Sequence, residues 1–284
     1  LSRMLKKGKI DWEKMKYTVE VAVRFLDNVI DASKFPIPEV EKITYANRKI
    51  GLGVMGFADL LIKLNIPYDS EEAEKIAEEI MRFIHKVAVE TSMKLAEERG
   101  SFPNFKGSLW DRKGFKVMRN ATLTTIAPTG TLSIMEGTRL LEINKDFLHM
   151  VKKKGVYSRE IIEETSRTGS IKDIRSIPES IKRLFVTSFD ISPEWHIRIQ
   201  AAFQRYTDNA VSKTINFPEE ATPTQIQKAF YLAYRLKCRG LTVYRYGSKK
   251  EQVLYRGNIT PSRLERDFLR VDSEFTGECR VCGV

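Results

Sequence analysis

The amino-acid sequence predicts an α/β fold built on parallel strands, and three observations carry that expectation. Short β-branched segments stand at 122–127 (Thr-Leu-Thr-Thr-Ile-Ala), Val211–Phe217 and Leu241–Tyr246. Amphipathic helical patterns separate them, and strands that alternate with helices pack as parallel sheets covered by those helices. The 284 residues are 42% hydrophobic and 30% charged, with a mean hydropathy of −0.33. That balance excludes a disordered chain, a collagen and a membrane protein.

Taken in order, residues 11–32 read as a helix. Asp11 caps it, and Trp12, Met15, Val19, Ala22, Val23, Leu26, Val29 and Ile30 share one face. Phe35-Pro36-Ile37-Pro38 ends it. Residues 70–99 form a second, long helix opened by Asp69 with Glu72 and closed by Gly100. Its buried stripe is Ala73, Ile76, Ala77, Ile80, Phe83, Ile84, Val87 and Leu95, and Met81 and Met93 read as packing residues. The strand 122–127 runs into a turn at Pro128-Thr129-Gly130-Thr131. Ser192-Pro193 opens a helix that reaches about Tyr206, with proline at its first position. Thr222-Pro223-Thr224-Gln225 is a capping box whose helix runs to about Gly240 and includes Cys238. Leu241–Tyr246 then reads as a buried strand. Residues 1–256 are expected to be one folded part, and polar, aperiodic residues 257–284 a flexible tail.

The formal net charge is +11, and the excess is concentrated. Residues 235–270 hold ten basic residues against three acids, a field that attracts phosphate on a nucleotide or a polynucleotide, or serves only as a solvated surface. Three cysteines build no disulfide framework, so a reducing cytoplasm is expected. No signal peptide is visible at the start. Cys279 and Cys282 form a CxxC near the C-terminus with no second ligand pair at zinc spacing. They read as a dithiol that exchanges with disulfides, and Arg280 between them favours thiolate.

Two glycine motifs compete for a phosphate. Gly51-Leu52-Gly53-Val54-Met55-Gly56 matches GxGxxG, but residues 45–50 make a poor buried strand and no second strand precedes the long helix. The context fails for a dinucleotide, so the glycines are expected to allow close packing at a helix start. Pro128, Thr129, Gly130, Thr131, Leu132 and Ser133 follow a strand end, with a glycine and three hydroxyls. Successive backbone amides at such a turn suit a phosphate, and an ordinary turn is the alternative.

Four stretches, in order, resemble signatures of the ribonucleotide reductase large chain. They are Arg48–Leu61, Ala127–Ile134, Tyr206–Thr214 and Gly240–Gly247. The resemblance covers nearly the whole chain. It implies part of a ten-stranded α/β barrel, the second half-barrel with its surrounding helices. It implies that the 128–133 loop holds the diphosphate of a ribonucleoside di- or triphosphate. It implies that Cys279 and Cys282 re-reduce an active-site disulfide and are themselves served by a thioredoxin-like reductant. Iron-dependent members carry adjacent tyrosines on a late barrel strand, whereas this chain reads Tyr244-Arg245-Tyr246. Together with Pro-Thr-Gly-Thr in the loop, this resembles the adenosylcobalamin-dependent, class II members. Adenosylcobalamin is therefore the implied cofactor, although no Asp-x-His-x-x-Gly motif is present; that subclass binds it without one.

The chain departs from the family in two places. The Asn-x-Cys-x-Glu finger motif is absent, and no cysteine here can carry the thiyl radical. Ile134 runs through Met135 straight into Glu136, where the family has a Gly/Ser-rich segment and a helix, so a segment is deleted or two pieces are joined. This chain alone is expected not to reduce ribonucleotides. A homodimer is the expected assembly, with no membrane and no nucleic acid as partners. A non-catalytic nucleotide- or nucleic-acid-binding module is the alternative carried by the basic C-terminal third, and a nicotinamide dehydrogenase the one carried by GxGxxG alone.

Overall fold

The computed structural model describes residues 1–129 and 144–248. The predicted boundary at 256–257, the tail and the redox pair Cys279 and Cys282 lie outside the described residues. So do Gly130, Thr131, Leu132 and Ser133. The described chain divides into two compact units. One takes residues 1–128 and 191–248; the other takes residue 129 and residues 144–190.

The first unit opens with a two-residue antiparallel pair, β1 (Leu5–Lys6) and β2 (Lys9–Ile10). Helix α1 (Trp12–Ala32) follows, capped as expected by Asp11, whose Oδ1 accepts from the Lys14 amide at 3.0 Å. Met15, Val19, Val23 and Ile30 are buried on its inner face, and Asp27 is buried among them. Val29 departs from the predicted stripe and is exposed, because it lies a further 100° round the helix from Ile30. A helix that the proline cluster concealed, α2 (Pro38–Asn47), comes next, with proline at its first turn and Glu39 and Glu41 at its positive end.

Helix α3 (Phe57–Leu64) leads to the long α4 (Glu71–Arg99). The cap of α4 is Ser70 and not Asp69: the Ser70 hydroxyl oxygen accepts from the Ala73 amide at 3.1 Å, a bond worth about 1 kcal/mol. Gly100 closes α4 at φ 84°, donating its amide to Ala96, a backbone conformation that favours glycine. Met81 is fully buried and Met93 packs against the same core. The α1 and α4 faces pack together through Met15, Val19, Ile80, Met81, Ile84 and Val87. Past α4 come a 3₁₀ turn at Pro103–Phe105 and a short α5 (Leu109–Arg112).

In the last part of this unit, α9 (Pro193–Gln204) is capped by Ser192 with proline at its first turn. Strand β3 (Thr214–Phe217) pairs in parallel with β4 (Thr242–Arg245), Thr214 opposite Thr242 and Phe217 opposite Arg245. Between them α10 (Pro223–Arg235) opens on the predicted capping box of Thr222 and Gln225. It ends at Arg235, before Gly240, because Lys237 turns left-handed at φ 61°. Cys238 therefore stands beyond the helix and not within it. Strand β4 is half-exposed rather than buried. Residues 122–127 do not form a regular strand either. They are extended and make single parallel bridges on each side, Thr124 with Leu52 and Ile126 with Val211.

The second unit is helical in its described part: α6 (Lys145–Lys153), α7 (Arg159–Thr168) and α8 (Glu179–Lys182). Asn144 caps α6 and Ser158 caps α7. Phe147, Val151, Ile161, Ile171, Ile174, Ile177 and Ile181 form its own core. Among the described residues no helix is long and apolar enough to cross a membrane.

Candidate functional site

In the first unit, four extended segments run in parallel and in chain order: 50–52, 122–126, 209–217 and 242–245. The Ile50 and Leu52 amides donate to Thr122 and Leu123, and Thr125 returns a bond to Leu52. The Asn209 and Ser212 amides donate to Thr124 and Ile126, and the Ile126 amide donates to Ala210. Ligands of such sheets bind beyond the carboxyl ends of the strands. At that edge the second segment delivers Pro128 and Thr129, and Thr129 takes a left-handed φ of 54°, so the backbone turns there. Of the predicted phosphate loop, Pro128 and Thr129 are thus at the carboxyl edge, and the other four residues lie outside the described chain.

The GxGxxG stretch is corrected in one respect. Extended backbone does enter it, at Ile50–Leu52, where the residues before it argued against a strand. Its glycines nevertheless serve packing. A Cβ on Gly51 would lie 2.4 Å from the Thr125 methyl, and one on Gly53 would lie 2.4 Å from the Thr125 carbonyl oxygen. Gly56 caps α3 with φ 70°. The glycines let the first segment press against the second.

The second segment is gripped from its other side by residues 208–210. Asp208 Oδ2 accepts from the amides of Leu123 at 2.7 Å and Thr124 at 3.2 Å. The Asp208 amide donates to Thr124 Oγ1 at 2.9 Å, and Asn209 Nδ2 donates to Thr122 Oγ1 at 3.2 Å. Asp208 Oδ1 lies 2.9 Å from His85 Nε2 on α4. Burial raises the Asp208 pKa, but the bond and charge of His85 and the two amides outweigh it and hold the carboxyl below its ordinary value. Arg239 donates to the Asp208 carbonyl, and Gln200 Nε2 ties the Val211 and Gly240 carbonyls together. Asp208 and His85 were not assigned a role from the sequence. The signal was there in Thr207-Asp208-Asn209, but its partner stands 123 residues away.

Burial lowers Lys213 to about 8, and its Nζ donates to the Thr214 carbonyl. Burial pushes the Cys238 thiol up to about 11, so it is a thiol at neutral pH and a poor nucleophile. Among the described residues no three His, Cys, Asp or Glu side chains gather as a metal-ligand set.

A family model for the ribonucleotide reductase barrel domain matches residues 1–118 and 116–244. The chain belongs to that family, and its parallel segments with their helices are part of an α/β barrel. A vitamin B12-dependent ribonucleoside-diphosphate reductase of Thermoplasma acidophilum is 44% identical over 312 residues, covering 98% of this chain and 40% of the relative. A protein of the same description from Mycobacterium tuberculosis strain CDC 1551 is 42% identical over 298 residues, covering 98% and 42%. The solved alpha subunit of the class Id ribonucleotide reductase of Actinobacillus ureae superposes with a TM-score of 0.72 at 25% identity, over 81% of this chain and 46% of that one. The chain spans about two fifths of the length of the curated relatives it matches.

Proposed function

We propose that this chain is the later barrel part of a vitamin B12-dependent ribonucleoside-diphosphate reductase. The observation that carries the reading is 44% identity to such an enzyme across 98% of the chain. The whole enzyme replaces the ribose 2′-hydroxyl with hydrogen while two active-site thiols become a disulfide. The finger-loop thiyl cysteine belongs to a part of the enzyme outside this chain. Residues 128–133 receive the substrate diphosphate, since a glycine turn with three hydroxyls after a strand end suits an anion.

Adenosylcobalamin supplies the initiating radical when bound. Among the described residues no three His, Cys, Asp or Glu side chains gather as a metal-ligating set; His85 is engaged with Asp208, His196 is buried in α9 and His149 is exposed on α6. The cofactor assignment rests on kinship with vitamin B12-dependent relatives.

In the intact enzyme, calorimetry should give saturable binding of a ribonucleoside diphosphate. Gly130→Val should weaken it at least about tenfold with the circular dichroism spectrum unchanged. Undiminished affinity in that variant sinks the phosphate assignment. Steep salt dependence with no preference among nucleotides would favour a polyanion-binding module instead.

Cys279 and Cys282 form the dithiol that returns the active-site disulfide to thiols by exchange, and a thioredoxin-like protein then reduces the pair. Changing both to serine should stop turnover driven by thioredoxin, while a small dithiol that enters the barrel still supports it. Intact thioredoxin-driven turnover in the double variant would contradict the role.

A further inference from the structure

We propose that the outer face of α1 is a docking surface for a helix from the part of the reductase polypeptide that this chain does not span. The inference rests on the reading of the chain as the later barrel part of that enzyme.

Helix α1 is apolar on two sides. Met15, Val19, Val23 and Ile30 are buried in the main core. On the far side Tyr17, Val21, Phe25 and Val29 are exposed by 69, 50, 63 and 41%. Their spacing of four residues sets each about 40° round from the last, in one stripe about 18 Å long. A surface helix carries polar residues opposite its buried stripe, and a helix that is apolar on every side is packed on every side.

The rest of the helical layer follows that rule. Helix α1 packs on α4, α4 on α9, and α9 on α10, so α4 and α9 have a neighbour on each side. Among the described residues neither carries an exposed large apolar side chain. The two end helices do: α1 has its four, and α10 has Phe230, Tyr231 and Tyr234. Apolar exposure thus marks the ends of the layer.

The sheet stops where α1 stands. Asp27 and Asp31 of α1 hold Arg48, two residues before the segment 50–52. That segment bridges to 122–126 on one side, and among the described residues it bridges to nothing on the other. An unpaired edge beside an unpartnered helix calls for a further strand and a further helix together. A second copy of the chain seated on α1 alone would leave that edge open. The remainder of the enzyme has the length to supply both, since the chain covers 40% of a B12-dependent relative and 46% of the solved alpha subunit. Tyr17 and Phe25 are the anchors of the contact, as large aromatic side chains are at most interfaces.

The test uses the intact enzyme with a photoreactive benzoylphenylalanine in place of Phe25 or Tyr17. Irradiation is expected to join each to a peptide outside these 284 residues, in a product with the mass of one polypeptide. Doubled mass assigns the face to a second copy, a cross-link within the 284 residues assigns it to this chain, and no cross-link at either position leaves it in solvent. Each of these overturns the proposal. Phe25→Glu would bury a carboxylate and is expected to lower the melting temperature of the intact enzyme by about 4 °C or more. A shift within about 1 °C, as on a solvated face, also overturns it. Turnover of a ribonucleoside diphosphate in the same preparation separates the two readings. Its absence beside the expected cross-link rejects the reductase assignment and leaves the docking surface. Normal turnover without that cross-link rejects the docking surface alone.

Discussion

Asp27→Ala is expected to destabilise the first unit by about 4 kcal/mol. Asp27 is fully buried. Its Oδ1 accepts from Arg48 Nε at 2.9 Å and Asn120 Nδ2 at 3.0 Å, and its Oδ2 from Arg99 Nη1 and Arg119 Nε, each at 3.2 Å. Removing the carboxylate leaves three guanidiniums facing one another; Arg48 keeps half-exposed Asp31, while Arg99 and Arg119 keep only neutral acceptors, Asn28 and the Arg99 and Gly100 carbonyls. Arg48 is itself buried and forks onto both Asp31 oxygens, at 2.7 and 2.9 Å. The Arg48 bond holds the Asp31 carboxyl below its ordinary value against its own desolvation. That contribution is present above the usual carboxylate range and fades as pH falls through the lowered value. Trp12, Trp110 and Trp195 all belong to this unit, so urea unfolding followed by tryptophan fluorescence reads it selectively. A loss below about 1 kcal/mol would show that the cluster is solvated in a way the geometry does not allow.

Gly53→Ala is expected to cost more than Gly51→Ala, although each new methyl would sit 2.4 Å from an atom of Thr125. At Gly51 the obstacle is a side-chain methyl, which a rotamer change can move. At Gly53 it is a backbone carbonyl oxygen, with the Ile126 Cα 3.5 Å away, so two extended segments must part. A cost of about 3 kcal/mol or more is expected at Gly53 and about 1 kcal/mol at Gly51. Thr125→Ser removes the methyl and keeps the hydroxyl that bonds Ala210. It should rescue Gly51→Ala and leave Gly53→Ala unaided. Equal rescue of both in the double-mutant cycle would refute the distinction.

The sequence made legible whatever local chemistry decides. Asp11 before Trp12, the Ser192-Pro193 start and the Thr222–Gln225 capping box each place a helix end through bonds within four residues, and all three are found. The long stripe of α4 was readable for the same reason, although its cap fell one residue later than expected. What remained hidden depends on distant partners. Asp27 interrupts an apolar face, and only Arg48, Arg99, Arg119 and Asn120, 21 to 93 residues away, explain it. Residues 122–127 have strand composition, yet the Asp208 carboxylate takes the amides that a ladder would use. Residues 45–50 looked unlike a strand because α2 ends at Asn47, Arg48 turns left-handed, and the extended segment begins only at Ile50. At the candidate site, the glycine turn was readable as chemistry, but the clamp behind it was not.

The chain order of the parallel segments also dictates an order of assembly. Thr214 and Thr242 are joined across 28 residues, 13 of them in one helix, so this pair can close while the rest is still a coil. Ile126 and Val211 must meet across 85 residues, a span that includes the whole described part of the second unit. Closing the longer loop costs only about 1 kcal/mol more in chain entropy, but parallel contacts so distant form slowly. On a ribosome, Leu52 has to wait for Thr124, and Ile126 for Val211, with their edges unpaired in the interval. The glycines that later press these segments together offer no side chains to shield them meanwhile, so the interval before residue 211 emerges is when the nascent chain is most exposed to mispairing.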